Sequence, residues 1–266
     1  MLTAITRGIS PTFDCCELTY LQRAPIDLEK AARQHKAYED HLRRQGIHVI
    51  SLPAEPCFPD ATFVEDTAVV ADEVAVIAAM GTPSRRDEIH SLASVLSDYR
   101  PLRFINHSAA LEGGDVVQVG RTFYVGVSKR TNEGGVSQLR EILAPYGYEV
   151  RAVPVKACLH LTTGCTYLGR GMVLANRGWV AAEHFEGCEI LDVPASEPWA
   201  ANVLVTGDVV LVPEEHAETC ELLGRRGFDV QTIDASELLK AEAGLTCMSL
   251  IFNSRSAQVR QQGAGT

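Results

Sequence analysis

The chain predicts an α/β fold built by radial repetition, and three observations point to it. Short apolar segments come in pairs separated by a polar turn, as β-hairpins do. Most pairs are followed by an amphipathic helical stretch and then a third strand-like segment. The resulting unit, about 45 residues long, is used about five times. A doubly wound parallel sheet is the competing architecture. Radial closure accounts better for the regular hairpins, because bringing the last unit against the first leaves only short, protected sheet edges.

The elements can be justified in chain order. Residues 2–6 form a strand whose partner is residues 248–252, so that the two ends of the chain close the array. Residues 27–45 place Ala31, His35, Tyr38 and Leu42 along one helical stripe, and Gly46 can terminate it. Four hairpins follow: 68–70 with 74–78, 116–119 with 123–127, 166–168 with 172–175, and 203–205 with 209–212. Their turns read Ala-Asp-Glu, Gly-Arg-Thr, Gly-Arg-Gly and Thr-Gly-Asp, mostly good hairpin chemistry. Ser84 with Asp87 resembles a capping box for a helix carrying Ile89, Leu92 and Leu96. Thr131 or Asn132 caps a helix carrying Val136, Leu139 and Leu143, which Pro145 ends, although Gly134 and Gly135 weaken its first turn. A shorter helix is expected between Pro213 and Gly227, with Ala217, Cys220 and Leu223 facing inward. The third strands fall at 47–50, 102–105, 149–153, 189–193 and 228–233, and one of them lacks a clear helix before it. Residues 1–253 are therefore expected to form a single domain. Residues 254–266 lose apolar periodicity and read as a frayed tail.

Composition narrows the function. The 266 residues include 34 acidic and 24 basic side chains, a net charge of -10 without a Lys/Arg block, which argues against nucleic-acid or anionic-membrane partners. No apolar run reaches the length of a membrane span. Eight cysteines include no C-x-x-C pair and follow no secretory leader, so most read as small buried hydrophobes in a reducing, cytoplasmic compartment. The histidines make no zinc signature, and Gly113-Gly114 is not a dinucleotide fingerprint. Neither a metal nor a cofactor is expected.

What remains is the placement of polar residues relative to the repeats. Asp66 precedes the first hairpin, Glu112 the second and His160 the third, while Cys247 begins the last strand. Singly, each has an ordinary use: the carboxylates as turn caps, His160 as a satisfied half-buried side chain, Cys247 as filler. In a closed array, however, equivalent strand starts converge near the axis. One thiol, one imidazole and two carboxylates would then share a centre.

Several blocks carry a resemblance. They are Phe58-Pro59-Asp60, Phe63-Val64-Glu65-Asp66, Pro83-Ser84-Arg85-Arg86, Glu112-Gly113-Gly114-Asp115, Ser128-Lys129-Arg130-Thr131-Asn132, Leu159-His160-Leu161 and Leu245-Thr246-Cys247. In this order and spacing, from about Leu18 to Leu250, the chain resembles the dimethylarginine dimethylaminohydrolase family of guanidino-group-modifying enzymes. The resemblance implies a five-bladed α/β-propeller. It also implies hydrolysis of dimethylarginine and monomethylarginine to citrulline and an amine, with Cys247 as nucleophile and His160 as general acid and base. Asp66 and Glu112 would hold the guanidinium, Arg85 and Arg130 the α-carboxylate, and Asp60 the α-ammonium. Leu18 and Ala241 would add backbone carbonyls at that end, and Phe63 and Glu65 would line the region nearer the substituted nitrogen. The implied partner is a small free methylated arginine. Because the family includes monomers and dimers, a homodimer stays open.

The chemistry of these residue types agrees. Two fixed carboxylates can orient a guanidinium and compensate its desolvation, while its positive charge favours a nearby thiolate. One departure stands out: the family often continues Leu-Lys after the histidine, whereas this chain has Leu161-Thr162. Two alternatives stand beside this reading, a related guanidine hydrolase acting on arginine or another analogue, and a non-enzymatic propeller that binds a protein partner.

Overall fold

The computed structural model describes residues 1–254. The chain first lays down β1 (Leu2–Arg7), helix α1 (Leu28–Arg44) and β2 (His48–Leu52). The first hairpin unit is β3 (Ala68–Val70), β4 (Ala75–Ile77), α2 (Ile89–Leu96) and β5 (Leu102–Phe104). The second is β6 (Val116–Val119), β7 (Thr122–Val127), α3 (Glu133–Leu143) and β8 (Glu149–Pro154). A single turn, α4 (Leu161–Gly164), opens the third, which continues with β9 (Cys165–Gly169), β10 (Met172–Ala175) and β11 (Glu189–Asp192). The fourth is β12 (Leu204–Thr206), β13 (Val209–Pro213), α5 (Ala217–Arg225) and β14 (Asp229–Ile233). A short α6 (Ser236–Leu239) and β15 (Leu250–Asn253) complete the described chain.

These strands form five three-stranded sheets. In each, an antiparallel pair is joined by a third strand parallel to the middle one, as in β3-β4-β5 and β6-β7-β8. The closing sheet is β15-β1-β2, with Leu2 opposite Asn253 and Ile5 opposite Leu250. The parallel third strand requires a crossover, which is where the helices sit. The β10–β11 crossover holds only a 3-10 turn, Ala182–His184. The expected tail, 254–266, lies outside the described residues except for Ser254, whose N–H donates to the Met1 carbonyl and extends the closing pair.

The side-chain patterns explain the packing. Helix α1 buries Ala31, His35, Tyr38 and Leu42, the stripe expected, and Asp27 caps it by accepting the Lys30 N–H. Asn132 caps α3 through the Gly135 N–H. Two expectations need correction. Ser84 and Asp87 make no capping box: Pro83–Glu88 is a 3-10 turn, α2 begins at Ile89, and the Ser84 hydroxyl donates to Glu17 instead. In α5 the buried residues are Thr219 and Leu223, while Ala217 is exposed, because the helix starts there rather than nearer Pro213.

The innermost strands meet at the centre. Residues from β3, β6, β9, β12 and β15 together line one channel of about 290 Å³. This is the axis of a five-bladed α/β-propeller.

Candidate active site

The same local device precedes four of the inner strands. Asp66 lies on the 3-10 turn Val64–Thr67 before β3, and Glu112 leads into the turn Gly113–Asp115 before β6. His160 leads into α4 before β9, and Cys247 lies on the turn Thr246–Met248 ahead of β15. A single tight turn ends each approach to the axis and leaves its polar side chain at the mouth of the channel. The turns pack so closely that two glycines are obligatory. A Cβ on Gly113 would stand 2.0 Å from the Glu65 carbonyl, and one on Gly114 2.5 Å from Asp66 Oδ1 and 2.8 Å from His160 Nδ1.

The four expected residues are brought together. His160 Nε2 lies 2.7 Å from Glu112 Oε2, and its Nδ1 lies 3.6 Å from Asp66 Oδ1. Asp60, Phe63, Asp66, Arg85, Arg130, His160, Ala241 and Cys247 line one small cavity with Glu17, Leu159, Glu242 and Ala243. Glu112 sits behind His160 and is fully buried. Glu65 is on the channel side, where it accepts the Thr246 hydroxyl at 2.8 Å. Leu18 does not line the cavity; it is half-buried against the core cluster that includes Phe13 and Ala241.

Each buried charge is balanced. Arg85 Nη1 donates to Asp66 Oδ2 at 2.6 Å, and its Nε and Nη2 donate to Glu88 Oε2 at 3.0 and 2.9 Å. Arg130 Nη1 is 3.5 Å from Glu112 Oε1. Burial alone would lower the His160 imidazole, but the Asp66 charge and the Glu112 hydrogen bond outweigh it and raise it to about 9. Burial would raise Glu112, but His160, Arg85 and Arg130 overcome this and hold it well below the carboxylate range. Desolvation, with the charges of Glu65 and Asp66, pushes the Cys247 thiol well above its ordinary value. Burial beside Asp66 also raises Glu65 to about 8. The resting site thus holds an imidazolium and a protonated thiol.

Three buried polar atoms of the residues lining this cavity have no hydrogen-bond partner among the described residues: Asp66 Oδ1, Glu242 Oε2 and Arg130 Nη1. The two carboxylate oxygens accept and the guanidinium nitrogen donates. A zwitterion carrying a cation at one end and a carboxylate at the other is the complementary ligand. Asp66, Glu112 and His160 also form a donor set of the kind that holds a metal ion. Arg85, Arg130 and the charged imidazole already neutralise it, so a further dication would meet cations rather than free carboxylates.

Sequence reasoning missed several supporting residues. Asn202, at the start of the fourth inner strand, donates to the Thr162 carbonyl and the Thr246 hydroxyl at 3.0 Å each and accepts the Thr246 N–H at 3.1 Å. It completes the ring between His160 and Cys247, and its repeat position could have revealed it. Asp115 accepts the Leu161 N–H at 2.9 Å and the Ser128 hydroxyl at 2.6 Å, fixing the turn after His160. Glu88 and Glu242 gave no comparable signal.

Known proteins resemble this chain in sequence and in fold. The family model described as "N,N dimethylarginine dimethylhydrolase, eukaryotic" matches residues 19–185. An N(G),N(G)-dimethylarginine dimethylaminohydrolase from Pseudomonas aeruginosa is 34% identical, over 85% of this chain and 90% of its own. A protein of the same name from Streptomyces coelicolor is 33% identical, over 93% of this chain and 95% of its own. The solved structure of a cysteine-to-serine mutant of the Pseudomonas aeruginosa enzyme, complexed with citrulline, superposes with a TM-score of 0.89 at 31% identity, covering 94% of this chain and 98% of that one. A dimethylarginine dimethylaminohydrolase with a histidine-to-glycine change, solved as an adduct with S-methyl-L-thiocitrulline, gives the same TM-score at 32% identity, covering 94% and 99%. Likeness of this extent in sequence and fold together leaves one conclusion: the chain belongs to the dimethylarginine dimethylaminohydrolase family.

Proposed function

We propose that this protein hydrolyses free asymmetric dimethylarginine to citrulline and dimethylamine, and monomethylarginine to citrulline and methylamine, through a covalent intermediate on Cys247. The observation that carries the reading is the set of unpartnered buried atoms of opposite character, Asp66 Oδ1 and Glu242 Oε2 against Arg130 Nη1, in a site that also holds a thiol and an imidazolium.

The substrate guanidinium enters beside the Asp66 and Glu112 carboxylates, and its added positive charge is compensated when Cys247 gives up its proton. Its positive charge beside Cys247 lowers the thiol, which loses its proton to solvent and attacks the guanidinium carbon. His160, already protonated, donates to the departing dimethylamine as the carbon–nitrogen bond breaks. Water then adds to the S-alkylthiouronium carbon, His160 takes its proton, and the carbon–sulfur bond breaks to release citrulline.

At the other end, Arg130 is the residue free to take the α-carboxylate and Asp60 the α-ammonium. Arg85, engaged by Asp66 and Glu88, acts chiefly by fixing Asp66. The eight cysteines are all free thiols, which fits a reducing, cytoplasmic setting.

Turnover of asymmetric dimethylarginine, monomethylarginine, symmetric dimethylarginine, arginine and agmatine, with both products measured, tests this reading. The first two should have the highest kcat/KM. Agmatine lacks the carboxylate, and symmetric dimethylarginine carries a methyl group on each terminal nitrogen. Arg130→Ala should depress dimethylarginine turnover and narrow its advantage over agmatine. A preference for agmatine that Arg130→Ala leaves unchanged would refute recognition of a free amino acid.

A further inference from the structure

Asp66, Glu112, His160 and Cys247 each end the approach to an inner strand. The corresponding place in the remaining blade, just before β12, is held by Asn202. It is only 4% exposed and does not line the cavity beside Cys247. Whatever it does for the site therefore passes through its neighbours. Those neighbours are the two turns that carry the chemistry. Asn202 Nδ2 donates to the Thr162 carbonyl in α4, just after His160, and its Oδ1 accepts the Thr246 N–H beside Cys247. A carbonyl only accepts and an N–H only donates, so the amide can sit only one way round.

Nδ2 also donates to the Thr246 hydroxyl, whose own proton is thereby turned toward Glu65 Oε2 at 2.8 Å. The same amide packs directly on Gly244, where an added Cβ would stand 2.1 Å from Asn202 Cγ. Only a glycine lets the amide come so close. The Gly244 N–H in turn donates to Cys247 Sγ at 3.3 Å. Most of the remaining surroundings oppose a thiolate. Burial and the charges of Glu65 and Asp66 raise the thiol, while the Gly244 N–H and Arg85 lower it. Tyr38 acts on it from α1, and His160, Glu17, Asp60, Arg130 and Glu242 share its cavity. An N–H held on sulfur binds the thiolate more strongly than the thiol, so it favours ionisation.

We propose that Asn202 is a positioning residue that locks the Thr246–Cys247 turn against Gly244, keeping the Gly244 N–H on Cys247 Sγ as the thiolate forms and tying this turn to the one that follows His160. The kinetic side of this inference rests on the reaction proposed above; the effect on the thiol does not.

Asn202→Ala removes the amide. Asn202→Asp keeps its shape and its acceptor for the Thr246 N–H but loses both donated bonds, and it carries the test if the truncated variant does not fold. Two measurements on the full-length protein decide the matter. The first is the rate at which iodoacetamide labels Cys247 in the free protein at one fixed pH, read by peptide mass spectrometry. A variant that merely loosened the structure would expose the thiol and speed labelling. Loss of the positioned donor should instead raise the thiol by about one pH unit and slow labelling about tenfold. The second is the division of the catalytic defect between kcat and KM. For dimethylarginine, kcat should fall about tenfold or more while KM stays within about threefold, because Asp60, Asp66 and Arg130 keep their places. Equal or faster labelling in the folded variants would overturn the proposal, and so would a defect confined to KM. If wild type proves inactive on methylated arginine, the functional reading fails, while the labelling rates still decide whether Asn202 positions the donor.

Discussion

Gly114 shows how little slack the site has. Its missing Cβ is the space occupied by Asp66 Oδ1 and His160 Nδ1. Gly114→Ala should therefore separate carboxylate from imidazole and cut kcat by about tenfold or more, while overpacking costs about 1–3 kcal/mol of stability. Steady-state kinetics and thermal unfolding on the same sample check both. Thr162 poses the opposite question. It lines the channel with Glu65, and its hydroxyl oxygen has no hydrogen-bond partner among the described residues. Thr162→Lys should bring a cation toward Glu65 and lower its carboxyl from about 8, which NMR titration of the labelled carboxyl carbon would detect. Asp66, Glu112, His160 and Cys247 were legible because they recur at one point of the repeat. Glu88 and Glu242 were not, since their roles depend on contacts that no local pattern encodes.

Among the elements, hairpins and helix stripes could be read directly because each obeys a local period. Boundaries failed where two local signals competed. Pro83 and Ser84 favour a helix start, but the Arg85–Glu88 pair and the Ser84–Glu17 bond hold that turn as 3-10. Asn132 is a cap with a second task. Besides the Gly135 N–H at 3.0 Å, it accepts the Ala110 N–H at 3.1 Å, tying α3 to the approach to Glu112. Asn132→Ala should cost about 1–2 kcal/mol in chemical denaturation. Thr131, next to it, accepts the Glu112 N–H at 3.0 Å, so the same variant should also lower activity.

Across the molecule, closure makes one centre from residues far apart in the chain. The repeat count and the pairing of the termini were visible in the sequence; the inward ends of the strands became a site only because the ring closes. Concentrating so many charges at one axis has a pH signature. His160 is raised from 6.5 to about 9, and Glu65 and Glu88 are raised from 4.5 to about 8 and about 7. A raised folded-state value means that the folded protein holds the proton more tightly than the unfolded chain. Each contribution is complete below the ordinary value and is lost as pH rises through the folded one. Stability should thus decline between about pH 4.5 and pH 9, and the part of the decline above about pH 6.5 should be shallower in His160→Asn. Urea unfolding across that range measures it.

The central claim is that the guanidinium carbon becomes bonded to Cys247. Rapid acid quench of enzyme mixed with asymmetric dimethylarginine, followed by peptide mass spectrometry, tests it most directly. The expected result is a thiouronium adduct on the Cys247 peptide that forms and decays fast enough to account for turnover, with Cys247→Ser folded but inactive. Steady citrulline production by Cys247→Ser, or turnover in the wild type with the adduct only on another cysteine, would contradict the account.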